Sequence, residues 1–122
     1  MAKVFIVEDS KLVVTMMKKH LAPDGHEFTI ATNGEEALEI LSSGVLPDII
    51  ILDIVMEGMD GFELIEKIKT NDQTKSIPVL FCTSLDKGSD INRGIELGAN
   101  DYIIKPFTPN EIRNKITDNL RN

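Results

Sequence analysis

Apolar residues gather along this chain in short runs, separated by longer stretches of helical period. The runs are Val4-Phe5-Ile6-Val7, Phe28-Thr29-Ile30-Ala31, Ile49-Ile50-Ile51-Leu52 and Val79-Leu80-Phe81-Cys82, with a shorter fifth at Tyr102-Ile103-Ile104. Three of the five are apolar at every position instead of alternating, the pattern of strands covered on both faces in a parallel sheet. Between them, Lys11 to Leu21 places Val13, Met16, Met17 and Leu21 on one helical stripe. A second helix opens at Asn33-Gly34-Glu35-Glu36, an N-cap with Glu at N3, and turns Ala37, Leu38, Ile40 and Leu41 inward. A third, Gly61 to Thr70, carries Leu64, Ile65 and Ile68 inward and Glu63, Glu66, Lys67 and Lys69 toward water.

The last helix has Thr108 as cap, Pro109 at N1, and Ile112, Ile116 and Leu120 at i+4 spacing. The fourth, roughly Ser89 to Leu97, is the weakest prediction, with only Ile91, Ile95 and Leu97 bulky and apolar and Gly94 in its middle. That glycine costs about 1 kcal/mol relative to Ala. Such a helix fits a poorly packed element and an element that has to move equally well. Strand and helix alternate along the whole chain, so the predicted class is α/β with a parallel sheet. Right-handed crossovers make it a doubly wound sandwich.

Composition narrows the field. At 122 residues and 42% apolar, the chain suits one domain over residues 1–122 with a single sizeable core. Its 13 Lys+Arg against 20 Asp+Glu leave a formal charge of −7, which argues against general binding to a phosphate backbone. The one cysteine, Cys82, excludes an internal disulfide or a cysteine-cluster zinc site and reads as a buried strand residue. No signal peptide or membrane span is legible, so the expected location is cytoplasmic. His20 and His26 flank Pro23-Asp24-Gly25 and read as surface loop residues, and the methionines read as packing.

The chemistry lies directly after the strands, because ligands of an open parallel sheet bind beyond the strands' carboxyl ends. Glu8 and Asp9 follow the first strand, Asp53 the third, Thr83 and Ser84 the fourth, and Lys105 and Pro106 the fifth. After the second strand, Thr32-Asn33-Gly34 looks like a plain helix start. Each residue alone has an ordinary explanation: an acid after a strand caps a helix or forms a turn, and a threonine caps. Their joint occurrence on one edge of a sheet is another matter. Three gathered carboxylates repel unless a hard divalent cation neutralises them, and carboxylate, carbonyl and water oxygens are what Mg²⁺ prefers. With Lys105 as a fixed cation and Thr83 as a hydroxyl donor, the set suits phosphoryl transfer to a carboxylate.

These residues resemble the receiver domain of two-component response regulators, in its stand-alone CheY-like form. The matching stretches are Val4 to Ser10, Asp48 to Met56, Met59-Asp60-Gly61, Pro78 to Ser84, Gly98 to Tyr102 and Ile104-Lys105-Pro106-Phe107. The resemblance implies five parallel strands in the order 2-1-3-4-5 with five helices. It makes Asp53 similar to the phosphoacceptor, and Glu8 and Asp9 to the acidic pair that holds Mg²⁺ together with Asp53 and the backbone carbonyl of Val55. Thr83 resembles the switch hydroxyl, Lys105 the phosphate-binding lysine, and Tyr102 the aromatic that turns inward when Thr83 is drawn to the phosphoryl group. The Lys105–Pro106 bond is expected to be cis.

The implied activity is uptake of a phosphoryl group on Asp53 from a sensor histidine kinase, a histidine phosphotransfer protein or a small donor such as acetyl phosphate. That step would remodel the face made by the fourth helix, fifth strand and fifth helix, for a downstream protein target. The chain would be a signalling protein and not an enzyme, a monomer, with no direct nucleic-acid or membrane contact. It departs from the family pattern at Glu57, where proline is usual, an extra acid that points to water or tunes metal affinity. Apolar Val55 and Leu85, either side of the acceptor, offer no polar group to orient water, so self-dephosphorylation is expected to be slow.

Other classes fit less well. An aspartyl-phosphate hydrolase would need a second acid where Val55 stands, and a flavodoxin-type carrier would need a Gly- and hydroxyl-rich loop in place of Glu8-Asp9-Ser10. No P-loop motif occurs. The remaining rival is a pseudo-receiver, a protein-interaction module with this fold and no phosphorylation.

Overall fold

The structure is a computed structural model and describes residues 1–44, 46–84 and 88–120. The elements run β1 (Lys3–Val7), α1 (Lys11–Leu21), a 3₁₀ turn (Ala22–Asp24), β2 (Glu27–Ala31), α2 (Gly34–Ser42), β3 (Ile49–Leu52), α3 (Gly61–Thr70), β4 (Val79–Thr83), α4 (Gly88–Glu96), β5 (Asp101–Ile104) and α5 (Pro109–Leu120). Among the described residues the five strands form one parallel sheet in the order β2-β1-β3-β4-β5. The class is the one the apolar pattern predicts, and the order is the one the family resemblance implies.

Successive strand residues face opposite sides of a sheet, so each apolar run feeds two cores. Phe5, Val7, Ile50, Leu52, Val79 and Phe81 pack with Ala37, Leu41, Phe62, Leu64, Ile65 and Ile68 from α2 and α3. Val4, Ile6, Ile49, Ile51, Leu80 and Cys82 pack with Met17, Leu21, Ile112 and Ile116 from α1 and α5. The continuous runs of β1, β3 and β4 are buried for this reason. β2 differs because it is an edge strand, and Phe28, Thr29 and Ile30 are only half-buried.

Helix starts are fixed by side-chain oxygens that accept from orphan backbone N–H groups. The Asn33 Oδ1 accepts from Glu36 N at 2.8 Å, and the Asp60 Oδ1 from Glu63 N at 2.8 Å. At α5, Thr108 Oγ1 accepts from Glu111 N at 3.1 Å while Glu111 Oε1 accepts from Thr108 N at 3.2 Å, a closed capping box.

The structure explains one sequence reading and corrects another. In α4 the one buried residue is Gly94, while Ile95 is 55% exposed and Ile91 is half-buried. The missing Cβ lets the helix backbone lie on the Phe81 and Tyr102 rings, which accounts for a glycine in the middle of this weak helix. The histidines are not bare loop residues. His20 lies in α1 with its ring edge-on to Phe107 at 5.9 Å. The Nδ1 of His26 accepts from Ala2 N at 3.0 Å, and burial holds its imidazole below the usual pKa. Leu85 lies outside the described residues.

Candidate functional site

β1 and β3 are neighbours with Val7 opposite Leu52, so the residues that follow them emerge side by side. Backbone pairing continues one residue past each strand: Glu8 N donates to Ala31 O at 3.0 Å, and Asp53 N to Val7 O at 3.2 Å. This fixes two acids at the carboxyl edge in the middle of the sheet. Both are buried, Glu8 at 2% exposure and Asp53 at 7%. Asp9, one residue on, is exposed. One carboxylate oxygen from each of Glu8, Asp9 and Asp53 lies within 4.8 Å of the others.

From the other side comes Lys105. Its backbone N donates to Thr83 O at 2.9 Å, holding the loop after β5 against the end of β4. Its Nζ reaches Glu8 Oε1 at 2.7 Å and Asp53 Oδ2 at 2.9 Å. The second oxygens of the buried pair are also engaged: Ser10 N donates to Glu8 Oε2 at 3.1 Å, and Val55 N to Asp53 Oδ1 at 3.2 Å. The Lys105–Pro106 bond is cis. Thr83 is fully buried at the end of β4, and Ser84 after it is exposed.

The charges explain what the cluster tolerates. Burial pushes the Glu8 carboxyl above its usual pKa, and the Asp53 charge pushes the same way, against hydrogen bonds from Lys105 and Ser10 N. Burial pulls the Lys105 ammonium down, but its hydrogen bonds to Glu8 and Asp53 outweigh this and hold its pKa above the usual value. Three acids against one fixed cation leave a formal excess of two negative charges. Among the described residues Asp9 has no ion pair. An all-oxygen donor set with that excess, one member open to water, fits a hard divalent cation. The Val55 side chain is 59% exposed, and its backbone stands beside Asp53.

Tyr102 lies within β5, opposite Phe81 of β4. Its ring packs on Phe81 with centroids 5.4 Å apart, and its hydroxyl donates to the Asp90 and Ile91 carbonyl oxygens of α4, each at 3.1 Å. The phenol pKa is raised, by burial first and then by the Asp90 charge. Glu57 is exposed and lies outside the three-acid group. Cys82 is buried in β4, and burial pushes its thiol up to about 12.

Thus Glu8, Asp9, Asp53 and Lys105 come together, with Val55 and Thr83 alongside and Tyr102 on the α4 side. Two supporting residues were missed from sequence. Ser10 steadies Glu8 through its N–H and caps α1 through its Oγ, which accepts from Val13 N at 3.3 Å. A polar residue directly before a helical stripe was the available signal. Gly61 begins α3 with its N donating to Ile54 O at 2.8 Å, and a Cβ there would lie 2.6 Å from Ile54 Cα. Only a glycine lets α3 start that close to the Asp53 strand end.

Comparison with known proteins agrees with this geometry. The family model described as the response regulator receiver domain matches residues 4–117. The Bacillus subtilis alkaline phosphatase synthesis transcriptional regulatory protein PhoP is 34% identical over 98% of this chain and 48% of its own length. The chain spans about half the length, or less, of the curated relatives it matches. Among solved structures, Vibrio cholerae chemotaxis protein CheY4 superposes with a TM-score of 0.89 at 31% identity, covering 98% of both chains. The Mn²⁺-bound form of response regulator Rcp1 does so with a TM-score of 0.83 at 26% identity, covering 97% of this chain and 91% of that one.

Proposed function

Because the chain belongs to the response regulator receiver domain family, we propose that residues 1–122 act as one receiver, taking a phosphoryl group on Asp53 from the phosphohistidine of a sensor kinase or phosphotransfer protein. Members of this family are signalling proteins of two-component systems. The observation that carries the reading is the gathering of Glu8, Asp9 and Asp53 around Lys105.

A magnesium ion held by Glu8, Asp9, Asp53 and the Val55 carbonyl would supply charge neutralisation for the phosphoryl oxygens. An Asp53 carboxylate oxygen forms the new bond to phosphorus, and the bond from phosphorus to the donor's imidazole nitrogen breaks. The Lys105 ammonium turns from Asp53 Oδ2 to a phosphoryl oxygen, so its charge stays paired throughout. Glu8, buried and held at both oxygens by Lys105 and Ser10, fixes where that ammonium stands. The Thr83 hydroxyl donates to a second phosphoryl oxygen.

Drawing Thr83 toward the phosphoryl group shifts the ring of Tyr102 and remodels the α4-β5-α5 face for a protein target. This is a population shift driven by a local change of charge. The site works in the cytoplasm, where such donors are found. Among the described residues no helix is long and apolar enough to cross a membrane.

Mass spectrometry after incubation with acetyl phosphate and Mg²⁺ tests the reading. One phosphoryl group is expected on the native chain and none on Asp53→Asn. A native chain that stays unmodified with acetyl phosphate and with a phosphorylated histidine donor would leave only the interaction-module reading.

A further inference from the structure

Gly34 opens α2 and is buried, although Asn33 before it is only half-buried and Glu35 after it is exposed. What covers it is Met59, from the loop between β3 and α3. A Cβ at Gly34 would lie 2.9 Å from Met59 Sδ, 3.0 Å from Met59 Cβ and 3.1 Å from Met59 Cγ. The sulfur could swing to another rotamer, but a Cβ moves only with its backbone. The neighbouring residues repeat the approach. A Cβ at Gly58 would lie 3.4 Å from Glu35 Oε1 and 3.6 Å from Glu35 Oε2, and Gly58 has a φ of 80°, which a side chain would resist. The first turn of α2 and the tip of the loop thus meet through two glycines, one from each.

This loop, Val55 to Asp60, begins at the Asp53 strand end. Its base is closed by Gly61 N donating to Ile54 O at 2.8 Å and by Val55 N donating to Asp53 Oδ1 at 3.2 Å. Met56 is buried in the core beneath α2 and α3. Beyond it Glu57 and Gly58 are exposed, and the stretch holds no proline that would restrict it. Met59 then packs back at Gly34 before Asp60 caps α3.

We propose that Gly34 is a positioning residue for the divalent cation: its missing Cβ seats Met59 and so fixes the loop that carries the Val55 carbonyl. The inference rests on the metal reading above and extends it to a helix start that supplies no ligand. A loop already held in place spends less of the binding energy on being ordered when the ion arrives. Groups that orient ligands without touching the ion contribute to metal affinity in this way.

Isothermal titration of the full chain with Mg²⁺, well below the thermal midpoint, tests this. Gly34→Ala is expected to raise the Mg²⁺ Kd about tenfold, the lower end of what outer groups contribute. Met59→Ala removes the same contact without forcing a Cβ into it, and should weaken binding to a similar extent. The double variant should be little worse than either single one, because each change removes one shared contact. Loss of stability by itself leaves the affinity of the folded molecules unchanged. Ile116→Val, in the core on the other face of the sheet, is therefore expected to lower the thermal midpoint and keep the native Kd. A native Kd in Gly34→Ala and Met59→Ala, losses that multiply in the double variant, or an equal loss in Ile116→Val would each overturn the proposal. A native chain that takes up no Mg²⁺ would remove the metal reading and this role with it, whereas native uptake with unchanged variants removes the role of Gly34 alone.

Discussion

At Asp53 one oxygen accepts from the following backbone and the other from Lys105, so the side chain is held in one orientation before any donor arrives. Such preorganisation is where positioning contributes to transfer. On the proposed transfer to Asp53, the same neighbourhood would set how long the product lasts. The Val55 side chain, two residues on, is exposed and apolar and offers no hydrogen bond to an attacking water. Decay of the acyl phosphate is therefore expected to take many minutes. Val55→Asn should hasten it by roughly tenfold, the scale of about 1.4 kcal/mol in the barrier, measured by loss of the phosphorylated mass with time. Decay of the native form within seconds would remove the idea.

Among the elements, β5 and α5 are joined by a small polar network. Asp101 accepts from Lys115 Nζ at 2.8 Å, from Asn119 Nδ2 at 3.1 Å and from Tyr102 N at 2.8 Å. Burial pushes its carboxyl up, but the Lys115, Tyr102 and Asn119 hydrogen bonds outweigh this and hold its pKa below the usual value. A carboxyl with a lowered pKa in the folded state adds stability above its unfolded pKa of about 3.9, and loses it as pH falls through the folded value. Lys115 is 41% exposed, so solvent screens the pair. Asp101→Asn should cost about 1 kcal/mol at pH 7. The thermal midpoint would fall by roughly 3–6 °C, and the gap between variant and native should close as the pH is taken below the folded pKa. A gap that persists in acid would mean that shape at this position matters and charge does not.

Over the whole molecule, the sheet's two cores hold a charge cluster in place that the chain alone leaves unbalanced. Binding of Mg²⁺ to the folded state alone should therefore stabilise it, by about 2.7 kcal/mol at a hundredfold excess over the dissociation constant. Thermal unfolding with and without chelator measures this. Asp9→Asn should abolish most of the metal-induced rise. It should raise the metal-free midpoint, since it removes one of three carboxylates gathered within 4.8 Å with a single lysine to balance them. An undiminished rise in that variant would place the ion elsewhere.

Much of this protein was legible from residue order. The runs at Val4, Ile49 and Val79 declared strands buried on both faces, because every position was apolar, and the helical stripes declared what lay between. The acids after the first and third runs and the lysine after the fifth marked the candidate site, because a parallel sheet delivers the ends of its strands to one edge. What sequence could not settle were contacts between elements far apart in the chain. The fourth helix looked weak because its apolar residues were counted, whereas its packing is made by an absent Cβ at Gly94 against a ring from β5. The half-buried state of β2 followed from its place at the sheet's edge, which its own composition does not encode. Spacing and hydrophobicity act locally and so fix the elements and the order of their chemistry; which atoms meet, and which oxygen each proton reaches, depends on distances that exist only after the sheet has closed its two cores.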